Sequence, residues 1–238
     1  MKFSLCISMI LLTYLCAGQQ ISSPNRQAMD PSFSTKADGS IVLSWVEKQG
    51  DSTLFFRKVW DKSSQTWSVN EFIPIHPHAS THAEGMPKLS YKADGTCILL
   101  FEVNKPSEKS RFSGDLFYAM EIQGNWSKAQ TIHRDTTAGL SHSFGKTFPL
   151  ANGQVGALWL DVKFGPKGRT LVFAETSDGM GFGEMKVLDK QTCECCRIDA
   201  LADKDGKIDS FVKDIDKDGF TDVGLVDTDS DGQPDKLI

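Results

Sequence analysis

Three absences narrow the field before any motif is read. Nowhere do the 238 residues gather Lys and Arg into a basic stripe, which argues against nucleic acid as the main partner. The apolar run at the N-terminus, residues 3–15 of "MKFSLCISMILLTYLCAGQQ", is shorter than the about 20 residues a helix needs to cross a bilayer. Helical periodicity is missing from the segments that repeat along the chain, so amphipathic helices are not expected to build the core. Cysteine is scarce as well: six residues, of which three fall in "TCECCR" (192–197).

What is present is 39% apolar and 10% aromatic residues, ample for a packed core. The formal charge of −5 is uneven. Residues 199–238 hold 12 Asp and 5 Lys, so −7 there leaves +2 for residues 1–198. The N-terminal pattern of one Lys, an apolar run and small residues is that of a secretory leader over residues 1–18. Cys16 before Ala-Gly offers a lipid anchor as the alternative, the one way this chain is expected to meet a membrane. Either outcome places the mature chain in an oxidising compartment with Cys97, Cys193, Cys195 and Cys196 left for folding.

The chain repeats itself. "KADGSIVLSWVEK" (36–48), "KADGTCILLFEVN" (92–104) and "LANGQVGALWLDV" (150–162) each set an Asp-Gly or Asn-Gly turn before alternating β-formers. Gly39, Gly95 and Gly153 lie 56 and 58 residues apart. A second strand-like run follows each, with Leu54, Leu116 and Leu171 in phase, and Trp-Ser pairs close the first two units. A unit of about 57 residues with three or four short antiparallel strands has the size of a β-propeller blade. The expected fold is therefore all-β: a partial propeller over residues 27–200 of about three blades, the start of a fourth at 201–214, and an Asp-rich tail. Closure of a ring takes about four to eight blades, so the unfinished edge implies a partner chain or a fragment. A β-sandwich is the alternative.

The segments "TIHRDTTAGLSHSF" (131–144), "GALWLDVKFGP" (156–166) and "DKQTCECCR" (189–197), in that order on blade-like repeats, resemble the exo-α-sialidase-like, BNR-type propeller proteins of exported bacterial origin. That resemblance implies binding, and in an active member hydrolysis, of sialic acid or a related acidic glycan. It departs from the family in "DKSSQTW" (61–67), where Lys62 and Ser64 replace the Asp and Gly of the Asp-box. Glycoside hydrolysis needs two acid/base or nucleophilic groups facing one sugar, and propellers place them near the start of the innermost strands. The candidates are Glu84 beside His82, Arg134 and Asp135, His142, and Asp161 beside Lys163. Arg134 is the expected carboxylate clamp and Asp135 or Glu84 the acid; the competing reading makes "HRD" a turn and Asp161 a strand cap.

Two further sites are metal-like. "DIDKDGFTD" (214–222) and "DTDSDGQPD" (227–235) repeat Asp-x-Asp-x-Asp-Gly-x-x-Asp. Asp214, Asp216, Asp218 and Asp222 with the Phe220 carbonyl, and Asp227, Asp229, Asp231 and Asp235 with the Gln233 carbonyl, offer the oxygen-rich set that calcium takes. Position twelve is Leu225 or Ile238 rather than Glu, a poor match to an EF-hand; the 13-residue period instead resembles thrombospondin type 3 repeats. The histidine-rich "HPHASTHAE" (76–84) reads as a loop with adventitious affinity for transition metals. At the cysteine cluster, disulfide stapling that involves Cys97, Cys193, Cys195 and Cys196 leads over a zinc site with Cys97 as fourth ligand or capture of copper(I). Asn125-Trp126-Ser127 is a glycosylation sequon.

Overall fold

A computed structural model describes residues 20–82, 84–106, 113–135, 137, 139–162, 169–192, 198–202, 208–213, 223–226 and 236–237; beyond residue 198 it gives the backbone alone, Ala200 apart. The leader, Cys16, Lys163, Cys193, Cys195, Cys196 and both Asp runs lie outside the described residues. Among the described residues every regular element is a strand, and no helix is long and apolar enough to cross a membrane.

The strands fall into antiparallel sheets that follow one another along the chain. The first holds β1 (Gln27–Thr35), β2 (Ile41–Gln49), β3 (Ser52–Asp61), β4 (Thr66–Trp67) and β5 (Glu71–Ile73). The second holds β6 (Lys88–Tyr91), β7 (Cys97–Asn104), β8 (Gly114–Ile122), β9 (Asn125–Trp126) and β10 (Gln130–Thr131). The third holds β11 (His142–Pro149), β12 (Val155–Asp161), β13 (Arg169–Ser177), β14 (Met180–Phe182) and β15 (Lys186–Thr192). A fourth pairs β16 (Asp199–Ala202), β17 (Ile208–Lys213), β18 (Val223–Val226) and β19 (Lys236–Leu237) in order. This fourth set begins where the sequence expects a fourth unit to start, and in the sequence the two Asp runs fall between β17 and β18 and between β18 and β19.

The repeats specify the same local structure each time. Asp38, Asp94 and Asn152 each accept the backbone N–H two residues on, from Ser40, Thr96 and Gln154, at 2.8–3.0 Å. The next residue, Gly39, Gly95 or Gly153, sits at φ 77°, 88° or 80°, where a side chain would be strained. Ser68 and Ser127, the serines of the two Trp-Ser pairs, accept the N–H of Val59 and Met120 at 3.0 Å and so lock the β3–β4 and β8–β9 hairpins.

Because side chains alternate across a strand, the second and third sheets each have two apolar faces, and successive sheets stack through them. Val42, Val46, Phe55 and Ile73 of the first sheet pack against Leu99, Phe101 and Ala119 of the second. Leu100, Leu116 and Tyr118 on the second sheet's other face meet Ala157, Trp159, Val172 and Ala174 of the third, whose far face, Leu158, Leu160 and Phe173, continues to Ala200. The leading strands lie side by side in chain order, β1 by β6, β6 by β11 and β11 by β16, and β1, β6 and β11 are the inner strands. β1 and β11 carry a bulge at Asp30 and Phe144, both left-handed at φ 54° and 59°, which turns the end of each inner strand towards the neighbouring sheet.

Candidate functional site

The inner strands enclose a cavity of about 460 Å³. Ser32 and Ser34 from β1, Lys88 from β6, and Lys146 and Thr147 from β11 line it, with Glu84 at the approach to β6. The Ser34 hydroxyl is sealed from solvent and has no hydrogen-bond partner among the described residues. Glu84 contacts the exposed His82 imidazole, and the Lys88 ammonium donates to the carbonyls of Glu84 and Met86 at 3.0 and 3.3 Å.

The second strand of each of the first three sheets carries a buried acid at or near its end: Glu47, Glu102 and Asp161 are 0, 7 and 1% exposed. Their partners differ. Glu47 accepts from the Ser23 N–H at 2.8 Å, Trp45 Nε1 at 3.0 Å and Arg26 Nη1 at 3.0 Å. Asp161, opposite His142 in the β11–β12 ladder, holds His142 Nδ1 at 2.9 Å and Trp159 Nε1 at 3.4 Å. Among the described residues Glu102 accepts one long bond, 3.4 Å from the Phe144 N–H at the β11 bulge. Its carboxyl fills space that glycines leave open: a Cβ at Gly114 would fall 2.6 Å from Oε1, and one at Gly85 2.9 Å from Oε2. Burial pushes the acid up to about 7 against the pull of the Phe144 N–H and of Lys88, Arg169 and His82. Asp30, at the β1 bulge, is raised for the same reason and faces His82, Lys88 and Glu84.

Beside Glu102 lies a second cluster. His133, just past β10, stacks on His142 with ring centroids 3.6 Å apart and planes 10° off parallel. Its Nε2 is 3.2 Å from Asp115 Oδ1, which also contacts the Lys105 ammonium. Burial and the neighbouring His142 push the His133 imidazole below its ordinary value. Arg169 buttresses the cluster from β13, donating to the carbonyls of Ser141 and Leu160 at 2.9 and 2.5 Å and to Ser143 Oγ at 3.1 Å.

Of the residues singled out from sequence, the fold brings His142 and Asp161 into direct contact and sets Glu84 on the cavity wall. Arg134 is exposed, and Asp135 accepts from the Thr137 N–H and hydroxyl at 2.9 and 2.6 Å, closing a turn. Cys97 is a buried free thiol, pushed up to about 12 by burial. Asp30, Glu102, Lys88, Asp115 and His133 were not foreseen as site residues. One signal was available for Glu102: each repeat carries an acid near the end of its Trp- or Phe-bearing strand, in "WVEK", "FEVN" and "WLDV".

No model of a protein family matches the chain. No curated protein matches it either. Among solved structures it is similar to an α-L-arabinofuranosidase of Fusarium graminearum, at 12% identity and a TM-score of 0.53, over 84% of this chain and 59% of that one. The polysaccharide lyase Uly1 follows at 13% identity and a TM-score of 0.46, over 77% of this chain and 46% of that one. A sialidase matches at 10% identity and a TM-score of 0.32, over 79% of this chain and 23% of that one. The chain thus spans about three fifths of the arabinofuranosidase, and at that identity the likeness is one of fold.

Proposed function

We propose that the protein is a carbohydrate-binding member of the propeller-type glycan proteins, that its ligand is sialic acid or a related acidic sugar, and that the inner-strand cavity receives it. The observation that carries this reading is the cavity wall itself. Lys88 and Lys146 supply positive charge for a sugar carboxylate, while Ser32, Ser34 and Thr147 supply hydroxyl partners for a polyol. The solved structure of similar fold, an α-L-arabinofuranosidase, is named for acting on a glycan, which favours the same ligand class. Hydrolysis rests on Glu102, which near neutral pH holds the proton a glycosidic oxygen needs. Glu84 on the cavity wall, with Asp30 within its electrostatic reach, is the candidate second carboxylate.

Titration calorimetry with N-acetylneuraminic acid and turnover of a fluorogenic sialoside test both parts. Binding that weakens at least about tenfold in Lys88→Ala with Lys146→Ala is the expected result; no binding to any acidic sugar overturns the reading. Glu102→Gln is expected to keep binding and lose turnover, and a wild-type protein that binds without turnover removes the hydrolytic part alone.

Calcium is proposed for the two Asp runs, on their ligand pattern and on their place as connections between paired strands of the fourth sheet. Asp216→Ala with Asp229→Ala should abolish calcium binding in calorimetry, and an unchanged isotherm rejects it.

A further inference from the structure

We propose that Asp115, His133 and His142 form a binding site for a divalent transition-metal ion, with zinc as the reference ion. One ligand atom from each of the three lies within 4.8 Å of the other two. Tetrahedral zinc with Zn–N bonds of about 2.0–2.1 Å sets its ligands about 3.4 Å apart. His133 Nε2 and Asp115 Oδ1, 3.2 Å apart, already span one such edge.

His142 supplies the independent argument. Its Nδ1 is committed to Asp161, whose carboxylate is steadied in turn by Trp159. That bond places the proton on Nδ1 and leaves a lone pair on Nε2, the tautomer and outer-shell carboxylate of a metal-bound histidine. Nε2 is sealed from solvent, has no hydrogen-bond partner among the described residues, and belongs to a fully buried side chain. A buried acceptor left unpaired costs about 1–3 kcal/mol, a penalty that a coordinated ion removes.

Two features of the ion-free geometry define what must change. The stacked rings face one another, so a shared ion requires the His133 ring to turn until the two planes converge. The Lys105 ammonium sits on Asp115 as a built-in cation, which the ion displaces. The Asp115 and Lys105 side chains are 17 and 25% exposed, although Asp115 Oδ1 and Lys105 Nζ are themselves sealed, and both imidazoles are closed off. Two imidazoles and a carboxylate leave a fourth position open, and suit zinc or iron(II) better than calcium. The site shares no residue with the Asp runs, the cysteine cluster or the His76–His78 loop, and it does not depend on the glycan reading.

The test uses the full chain stripped of metal and titrated with zinc by calorimetry and with cobalt(II) by visible absorption. One equivalent of cobalt with d–d bands and no thiolate charge-transfer band is expected, lost in His133→Ala. Asp161→Asn, which removes only the outer-shell partner, should weaken binding by roughly 10–100-fold. Lys105→Ala removes the competing cation and should tighten binding about tenfold, a gain that damage to the fold cannot imitate. The proposal is overturned if stoichiometry and affinity are the same in wild type, His133→Ala and Lys105→Ala, or if the bound cobalt carries thiolate bands.

Discussion

The two interfaces between the first three sheets are built alike in their apolar layers and differ in how they treat charge. Between the first and second sheets, Arg57 forks two carboxylates at once: Glu71 on Nε and Nη2 at 2.9 and 2.5 Å, and Glu121 on Nη1 and Nη2 at 2.6 and 2.8 Å. Trp126 lies against the same guanidinium, 5.8 Å from its centre. Every donor that this geometry can use is used, and the group stays charged although burial opposes it. Between the second and third sheets, the polar groups are as deeply buried and far less satisfied: Glu102 with one long bond, and His142 Nε2 with no hydrogen-bond partner among the described residues. Satisfied burial of charge locks one sheet to another, whereas unsatisfied burial leaves polar groups that a ligand can satisfy.

If that distinction is right, breaking the first interface is a matter of stability alone. Arg57→Ala strands Glu121 in a largely buried position opposite Glu71 and should cost about 3 kcal/mol, less than a fully buried pair because Glu71 is half exposed. Melting should fall by roughly 10 °C, followed by circular dichroism, with acidic-sugar affinity per folded molecule unchanged. A melting point within about 2 °C of wild type would mean the fork is ornamental.

The second interface should respond to pH instead. Glu102 has its folded pKa raised above the unfolded one, so its favourable contribution is complete below about pH 4.5 and is lost as pH rises to about 7. Above that, the ionised buried carboxylate weighs on the fold by up to about 3 kcal/mol. Glu102→Gln keeps the shape and removes the charge, so it should melt as wild type does at pH 4.5 and higher than wild type at pH 8. Equal melting curves at both values would show that the carboxyl is solvated in solution. Gly114→Ala probes the same pocket sterically. Its Cβ intrudes on Glu102 Oε1, and the carboxyl must rotate away, at a cost of about 1–2 kcal/mol; thermal melting alone reads it.

The turns, strands and stacking were legible because each rests on local chemistry: Asp-Gly and Asn-Gly at the turns, alternation in the strands, Trp-Ser at the hairpins. The site was legible only where a motif carried it. His142 and Asp161 stand out in "SHSF" and "WLDV", and the ladder makes them direct partners. Glu102 gives no such signal beyond its place at a strand end, because what distinguishes it is made by others: Gly85, Gly114 and the Phe144 bulge come from three separate segments. Arg134 and Asp135 show the converse. "HRD" reads as a clamp and an acid, yet Asp135 spends its oxygen on Thr137 two residues on, while the buried His133 of the same tripeptide reaches Asp115. Asx turns of that kind are common wherever Asp precedes Thr by two, and no spacing rule marks which member of a polar tripeptide points inward.

Asp30 refines the contrast between interfaces, and its predicted effect is the smallest. It lies on the first sheet, yet it resembles Glu102: its Oδ2 is sealed without a hydrogen-bond partner among the described residues, and its pKa is raised, chiefly by burial. The unsatisfied acids therefore track the bulges of β1 and β11 rather than one pair of sheets. Asp30→Asn preserves the left-handed backbone at φ 54°, which Asn tolerates well, and removes the charge. Because the raised pKa belongs to the folded state, the gain should vanish near pH 3 and reach a few tenths of a kcal/mol at pH 8, small because the group is only half-buried. Urea unfolding at the two pH values resolves it. A loss of stability at pH 8 would instead mean that ionised Asp30 serves as counter-ion to Lys88 and His82, and that the cavity end is electrostatically complete without a ligand.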